Sequence, residues 1–511
     1  MRRIATGLIM LLATSPAWAQ AQNENASLCA SATPETSIAG CTAVIQSGPD
    51  APTMVLALTN RGAAYRMKTL YDQAIADFTQ AIALNPNLPA LYAARAGSYV
   101  QKKMFDQAIA DCTLAISLQP ADPVAYAARG FAYGQKGQLD LAIADDSQAI
   151  GLKPDYALAY YNRGLAYSGK GSDDQAFSDY AQAIALDPGN PANYVTRGAA
   201  YANKGLINQA ITDDTMAIDL KPDDAPAYYN RAVAYLGKGL NEQAIADYTH
   251  VISLKPDNVG SYINRGVAYA RTGMNDQAMA DFTQAIAIKP DYAIAYSDRG
   301  AIDARLGMGD QAIADDTQAI ALRPNDAKTY VNRAAAYDRK GMTQQAIADD
   351  TRAIALTPGN PNGYINRAFV YAKAGQIDQA IADDTRAIAA SRPDDVDAYL
   401  RRGNAYSDKG LLDQAIADFA EVIKRAPDNA LAYNNRGWTF HLKGEDAFGL
   451  PDAEKAVSLQ PKQAAFLETR AEIYEKLGRR ADAIADYRAA LAVDTSLKLA
   501  DDGLKRLDIA R

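Results

Sequence analysis

Arginine and aspartate recur in this chain at a fixed interval, and they are the side chains most able to do chemistry. Arg61, Arg95, Arg129, Arg163, Arg197, Arg231, Arg265, Arg299, Arg333, Arg367, Arg402, Arg436 and Arg470 each precede an aspartate by sixteen residues. Those partners are Asp77, Asp111, Asp145, Asp179, Asp213, Asp247, Asp281, Asp315, Asp349, Asp383, Asp418, Asp452 and Asp486. Guanidinium and carboxylate can meet as a two-pronged pair. Equal numbers in equal register predict a ladder of such pairs, structural in role, with ligand binding as the alternative. A partly buried Arg without a partner would be costly, which favours strict pairing.

A second aspartate follows the first at Asp146, Asp214, Asp316, Asp350 and Asp384, where other repeats carry Phe78, Tyr180, Tyr248 or Phe282. Doubled Asp invites a calcium reading, but the spacing is not that of an EF-hand loop. Neighbours on a helix point about 100° apart, so solvation or pairing with the ladder is expected in place of metal.

Other chemistry is sparse. Gly164, Gly169, Lys170 and Gly171 nearly spell a phosphate loop, but no Ser or Thr follows the lysine and no strand precedes it. His250 and His441 are the only histidines among 511 residues, and no Cys/His metal spacing exists. No nucleophile elbow or kinase signature appears. A catalytic residue, a metal and a cofactor are therefore not expected. The net charge of −8 argues against nucleic acid as the main partner.

Arg2 and Arg3, an apolar run from Ile4 to about Ala13, and Ala17-Trp18-Ala19 read as a secretory signal peptide over residues 1–19, cut before Gln20. That places the mature protein in the periplasm or outside the cell. No later segment is long and apolar enough to span a membrane. Export permits disulfides, and Cys29 and Cys41 lie twelve residues apart near the mature N-terminus, so they are expected to pair. Cys112 stands where other repeats carry an aromatic residue and reads as a packed apolar side chain.

The elements that position these groups follow from one period. Prolines recur every 34 residues from Pro86 to Pro358; Pro393 comes one residue late after an insertion near Ser391, and Pro427 and Pro461 resume the step. Residues 55–497 thus hold thirteen units. In the third, Val124 to Lys136 and Gln138 to Lys153 read as two helices broken at Gly137 and ended by Pro154. Asp, Asn or Gly after the proline can cap the next helix. Ala142 and Ala149 mark the close approach of the helices. One pair cannot bury its own apolar face, whereas stacked pairs can.

The pattern resembles the tetratricopeptide repeat family: the third unit supplies Tyr126, Gly130, Tyr133, Ala142, Ala149 and Pro154 at the signature positions. The resemblance implies an all-α fold, a right-handed superhelical solenoid of about thirteen helix-turn-helix units, with a concave groove lined by the first helices. Eleven units carry Tyr at the fourth position and eleven at the eleventh, which reads as a packing rule behind the thirty tyrosines. Residues 20–54 read as a degenerate N-terminal cap with the disulfide, and 498–511 as a C-terminal capping helix. Gly449 and Pro451 fall inside the second helix of the twelfth unit and are expected to kink it, forming a hinge or a shielded edge.

The sixth position, which faces the groove in this family, is Asn60, Asn162, Asn230, Asn264, Asn332, Asn366 or Asn435 in seven units. An amide can match the backbone of an extended ligand or tie adjacent helices. The basic second positions of the family's carboxylate clamp are missing except for Lys328. The thirteenth position is basic in four successive units, Arg271, Arg305, Arg339 and Lys373, on the same face as the asparagines. Val267, Val331, Ile365 and Phe369 lie between. A basic stripe with apolar neighbours suits an extended acidic segment of another protein, and a solvated face is the alternative. The expected function is a non-enzymatic protein-protein interaction scaffold, with a cell-wall glycan or other non-protein envelope ligand as the second reading.

Overall fold

The computed structural model describes residues 19–390 and 396–507. Among them are twenty-nine α-helices, numbered α1 to α29 in chain order, and no strand. Residues 1–18 of the expected leader, and the insertion near Ser391 with Pro393, lie outside the described residues. The chain divides into two compact halves, Met1–Pro256 with α1 to α14 and Asp257–Arg511 with α15 to α29. Each half is an α-solenoid of helix pairs, in which successive helices pack on one another and first helices touch those of the next repeat.

α3 (Ala51–Met67) to α28 (Arg480–Val493) supply two helices to each of the thirteen repeats. An additional pair, α1 (Ala19–Cys29) and α2 (Pro34–Gln46), precedes them, and α29 (Lys498–Arg506) follows.

The third repeat shows why the chain folds this way. α7 (Pro123–Gln135) opens on Asp122, whose carboxylate accepts the Val124 N–H at 2.9 Å, with Pro123 in the first turn. The cap is therefore the second residue after the closing proline. Asn190, Asp224, Asn258, Asp326, Asn360 and Asn429 cap in the same place. α7 ends on Gly137 at φ 74°, and the Gln138 N–H donates to Tyr133 O at 2.9 Å. That closing bond satisfies a carbonyl the helix leaves open. In the first two repeats the left-handed position holds Thr69 (φ 60°) and Lys103 (φ 59°), which strains a side-chain-bearing residue.

α8 (Leu139–Leu152) lies against α7 through Ala142 and Ala149, both buried. The eighth position of each first helix is Gly or Ala because the twenty-fourth position points at it. A Cβ on Gly164 would lie 2.7 Å from the Tyr180 ring, and one on Gly266 would lie 2.7 Å from Phe282. Buried aromatics at this slot, Phe78, Tyr180, Tyr248, Phe282, Phe419 and Tyr487, are the largest side chains of the core.

The twelfth repeat carries its proline inside a helix. α26 (Asp446–Leu459) runs unbroken through Gly449 and Pro451. Gly449 lets α26 cross α25 (Ala430–Lys443) closely: a Cβ there would stand 2.7 Å from Gly437 O.

Candidate ligand groove

All thirteen arginines donate two hydrogen bonds to their aspartates, Nε to Oδ2 and Nη2 to Oδ1, at 2.6–2.9 Å. Arg129–Asp145, Arg163–Asp179 and Arg265–Asp281 are typical, with the carboxylates buried and the guanidiniums mostly so. Donating to the Asp145 carboxylate holds the Arg129 guanidinium above its ordinary range, against the opposing effect of burial. Where the preceding repeat carries a hydroxyl sixteen residues back, the remaining Nη1 reaches it, as in Arg129 to Thr113 Oγ1 (3.1 Å) and Arg163 to Ser147 Oγ (3.0 Å); Ala181, Ala420 and Glu454 stand there before Arg197, Arg436 and Arg470. Arg61 makes the same bond to Thr42 of α2, so the leading helix pair is joined to the array as a repeat would be.

The tyrosines flank this ladder. The Arg129 guanidinium lies 5.6 Å from the Tyr126 ring centroid and 5.9 Å from that of Tyr133. Cation–π contact thus adds to packing as a reason for the tyrosine excess. Tyr92 and Tyr194 also donate from their hydroxyls to Pro86 O and Pro188 O.

The basic stripe is already partly engaged. Arg339 Nη1 donates to Ala304 O at 2.7 Å, and Arg305 to Ala270 O at 3.3 Å and Asn275 Oδ1 at 2.7 Å. Lys373 Nζ pairs with Asp338 at 3.0 Å. Each cation therefore sits at the carbonyl end of the preceding first helix, where positive charge is favoured. Arg271 is exposed at the same register. Lys328 pairs with Asp298.

The asparagines diverge. Asn162 is buried and donates to Ala127 O, Asn60 lies against Cys29 Sγ, and Asn435 donates to Asn404 Oδ1. Asn230 and Asn264 are half-buried. The Asn332 amide nitrogen is buried without a partner. Asn366 lines a cavity of about 310 Å³ in the second half.

That cavity lies between α19 (Ala327–Arg339) and α21 (Pro361–Lys373), with Asp350 from α20 (Thr343–Leu356) and Arg401 from α23 (Asp397–Asp408). Ala334, Ala335, Ile365, Phe369 and Val370 form its apolar wall. Phe369 is 55% exposed.

The second aspartates overturn the expectation of solvation. Asp146, Asp214, Asp316, Asp350 and Asp384 are at most 2% exposed and occupy the slot that aromatics fill elsewhere. Asp384 is held by Arg401 at 2.9 Å. Both carboxyl oxygens of Asp146, Asp214 and Asp350, and one of Asp316, have no hydrogen-bond partner. Burial pushes Asp146 up to about 9 and Asp214, Asp316 and Asp350 up to about 8; Asp384 rises only to about 6 because Arg401 offsets its burial. These four acids are therefore neutral near pH 7. The clue was in the sequence, since a residue that alternates with Phe and Tyr occupies a core position.

Among the described residues no cluster of three His, Cys, Asp or Glu side chains could hold a metal. His441 Nδ1 lies 2.6 Å from Asp446 Oδ1, and His250 packs on the Tyr228 ring at 4.1 Å. The glycine-rich segment at Gly164–Gly171 closes α9 (Ala157–Gly169), with Lys170 paired to Asp140. Cys29 and Cys41 are joined, and Cys112 is buried. No helix among the described residues is long and apolar enough to cross a membrane.

The fold defines a helical-repeat protein of the scaffold class. Tetratricopeptide repeat models match residues 55–88, 89–122, 135–171, 157–190, 225–258, 259–292, 351–382, 396–429 and 464–496, more than half of the sequence. The chain belongs to the tetratricopeptide repeat family. It is 33% identical over 82 residues to sperm-associated antigen 1 of Homo sapiens and 34% identical over 80 residues to sperm-associated antigen 1A of Danio rerio. Each match takes in 16% of this chain, and they span only 9% and 19% of those relatives. Among solved structures, the APC/C hetero-tetramer Cut9-Hcn1 aligns over 88% of this chain and 96% of its own at 15% identity and a TM-score of 0.43. YrrB, titled a TPR protein with an unusual peptide-binding site, aligns over 37% of this chain and 97% of its own at 25% identity and a TM-score of 0.33.

Proposed function

We propose that this protein is a non-enzymatic scaffold, exported to the periplasm, which holds an extended segment of another protein along the first helices of the seventh to tenth repeats. Family membership supports the protein-binding class. The observation that carries the location is the shared face of Asn366, Arg339 and Phe369, where polar donors, an exposed aromatic ring and an open cavity meet. Such a surface can match the backbone of an extended chain and attract its acidic side chains. The leader-like residues 1–19 and the Cys29–Cys41 bridge support an oxidising destination.

Affinity capture from envelope extract tests the reading. Arg271→Glu, Arg305→Glu, Arg339→Glu and Lys373→Glu in one variant should lose the proteins that the native chain retains. An unchanged set of captured proteins would remove this site from the reading. Mass spectrometry of the secreted product should give a chain beginning at Gln20.

A further inference from the structure

Arg66, in the last turn of α3, is a cation without a counter-charge. It is half-buried against α5 (Pro89–Gln101), the first helix of the second repeat. Nη1 donates to Ala94 O at 3.5 Å. The guanidinium lies over Gly97, where a Cβ would stand 3.1 Å from Nη2 and 3.3 Å from Cζ. Nε and Nη2 have no hydrogen-bond or ion-pair partner among the described residues, and neither is sealed from solvent. Burial pushes this guanidinium below its ordinary range; Tyr71 opposes the effect, and no carboxylate does. The charged residues that follow it are spent elsewhere, Lys68 on Glu35 and Asp72 on Lys102.

The arrangement is that of a ladder arginine whose acid has been removed. Arg95 grips Asp111 through its Nε–Nη2 edge while Nη1 turns to Thr79 of the repeat before. On Arg66 Nη1 turns to the repeat after, and the same edge is open. Arg66 is also the one Arg or Lys at the twelfth position of any repeat, and Gly97 the one glycine at the ninth. These two exceptional residues meet. An uncompensated charge is costly to bury, and the chain keeps this one where a missing side chain makes room for it.

We infer that Arg66 and the Gly97 face of α5 form a binding site in the first half of the chain, which takes a carboxylate of a protein segment through the Nε–Nη2 edge. The carboxylate belongs to an Asp or Glu side chain or to a chain end. The site goes beyond the reading proposed above and does not depend on the cavity lined by Asn366. Charge selects the ligand: one cation balances one carboxylate, whereas a phosphate group carries about two charges and would stay half-compensated. The fork also matches a planar carboxylate in two-pronged fashion. Because Arg66 stands at the twelfth position, the site differs from a clamp built on basic second positions.

The test labels the full mature chain with phenylglyoxal and follows each arginine by mass spectrometry. In chloride, Arg66 should label about ten-fold faster than Arg61, whose same edge is held by Asp77. Acetate in place of chloride at equal ionic strength should slow Arg66 and leave the exposed Arg352 unchanged. At twice its dissociation constant acetate should slow it about three-fold. Acetyl-alanine, a model of a chain end, and acetyl-glutamate amide, a model of a side chain, then replace acetate; the stronger protector names the source, and equal protection assigns recognition to the carboxylate alone. Acetyl-glutamine amide should not protect. Acetate should also raise the melting temperature of the native chain more than that of Arg66→Gln, with circular dichroism confirming the variant's fold. Arg66 labelling as slow as that of Arg61, equal rates in chloride and acetate, stronger protection by phosphate, or an equal rise in melting temperature would each overturn the site. The envelope capture experiment reads the scaffold proposal separately.

Discussion

Arg129 of the third repeat donates from Nη1 to Thr113 Oγ1 of the second, at 3.1 Å, while its other two donors grip Asp145. One guanidinium therefore holds its own repeat together and fastens it to the one before. The ladder is a set of joints between repeats as well as a set of ion pairs within them.

Removing one side of a joint should be far worse than removing both. Asp145→Ala leaves the mostly buried Arg129 charge without its partner, and we expect a loss of about 3 kcal/mol in urea unfolding. Adding Arg129→Met should restore part of it. Thr113→Val should cost about 1 kcal/mol by itself. An Asp145→Ala protein as stable as the native one would mean that the ladder contributes nothing to stability.

Thr69 and Lys103 occupy left-handed turns that glycine fills in the later repeats. Thr69→Gly and Lys103→Gly should each stabilise the chain by about 0.5–1 kcal/mol, because relief of the strained φ outweighs the added freedom of the unfolded chain. A calorimetric melting temperature that falls in both variants would contradict this account of the turn.

The buried acids make stability depend on pH in a definite direction. Their folded pKa values lie above the ordinary carboxylate range, so the folded chain binds more protons than the unfolded one between about pH 4 and pH 9. Their contribution is greatest below the unfolded pKa and is lost as pH rises through the folded one. Melting temperature should therefore be lower at pH 8.5 than at pH 6. Combined Asn replacement of Asp146, Asp214, Asp316 and Asp350 should flatten that slope, each site accounting for up to about 1.4 kcal/mol per pH unit. A native profile that rises over this range would reverse the assignment.

The three cysteines should separate chemically. Burial pushes the Cys112 thiol up to about 12, and Cys29 and Cys41 are joined. Iodoacetamide at pH 8 should label no cysteine of the native chain, one after unfolding, and three after unfolding with reductant, as counted by mass. Cys29→Ser with Cys41→Ser should weaken the leading helix pair by about 2–3 kcal/mol. Hydrogen exchange confined to residues 24–46 would report that loss.

The repeat, its helices and the Arg–Asp register were legible because each rests on residues thirteen times repeated. The tie from Arg339 to Ala304 O was not, since a backbone carbonyl leaves no mark on composition. The flanking of Arg129 by Tyr126 and Tyr133 follows from i−3 and i+4 spacing and could have been drawn from helix geometry alone. Asp350 misled for a different reason. Its charge suggested water, whereas its register, shared with Phe282 and Phe419, placed it in the core. Position outweighed residue type there.

At Arg299, Arg333 and Arg367 the bond to the hydroxyl of the repeat before gives successive repeats a plug on one side and a socket on the other. A 34-residue block from that stretch carries both. Whole blocks can therefore be duplicated or lost in a gene without leaving a mismatched seam, whereas a cut inside a block breaks its coupling. A lineage of such proteins can vary in length by integers, and the reach of the array becomes a trait that changes by counting repeats.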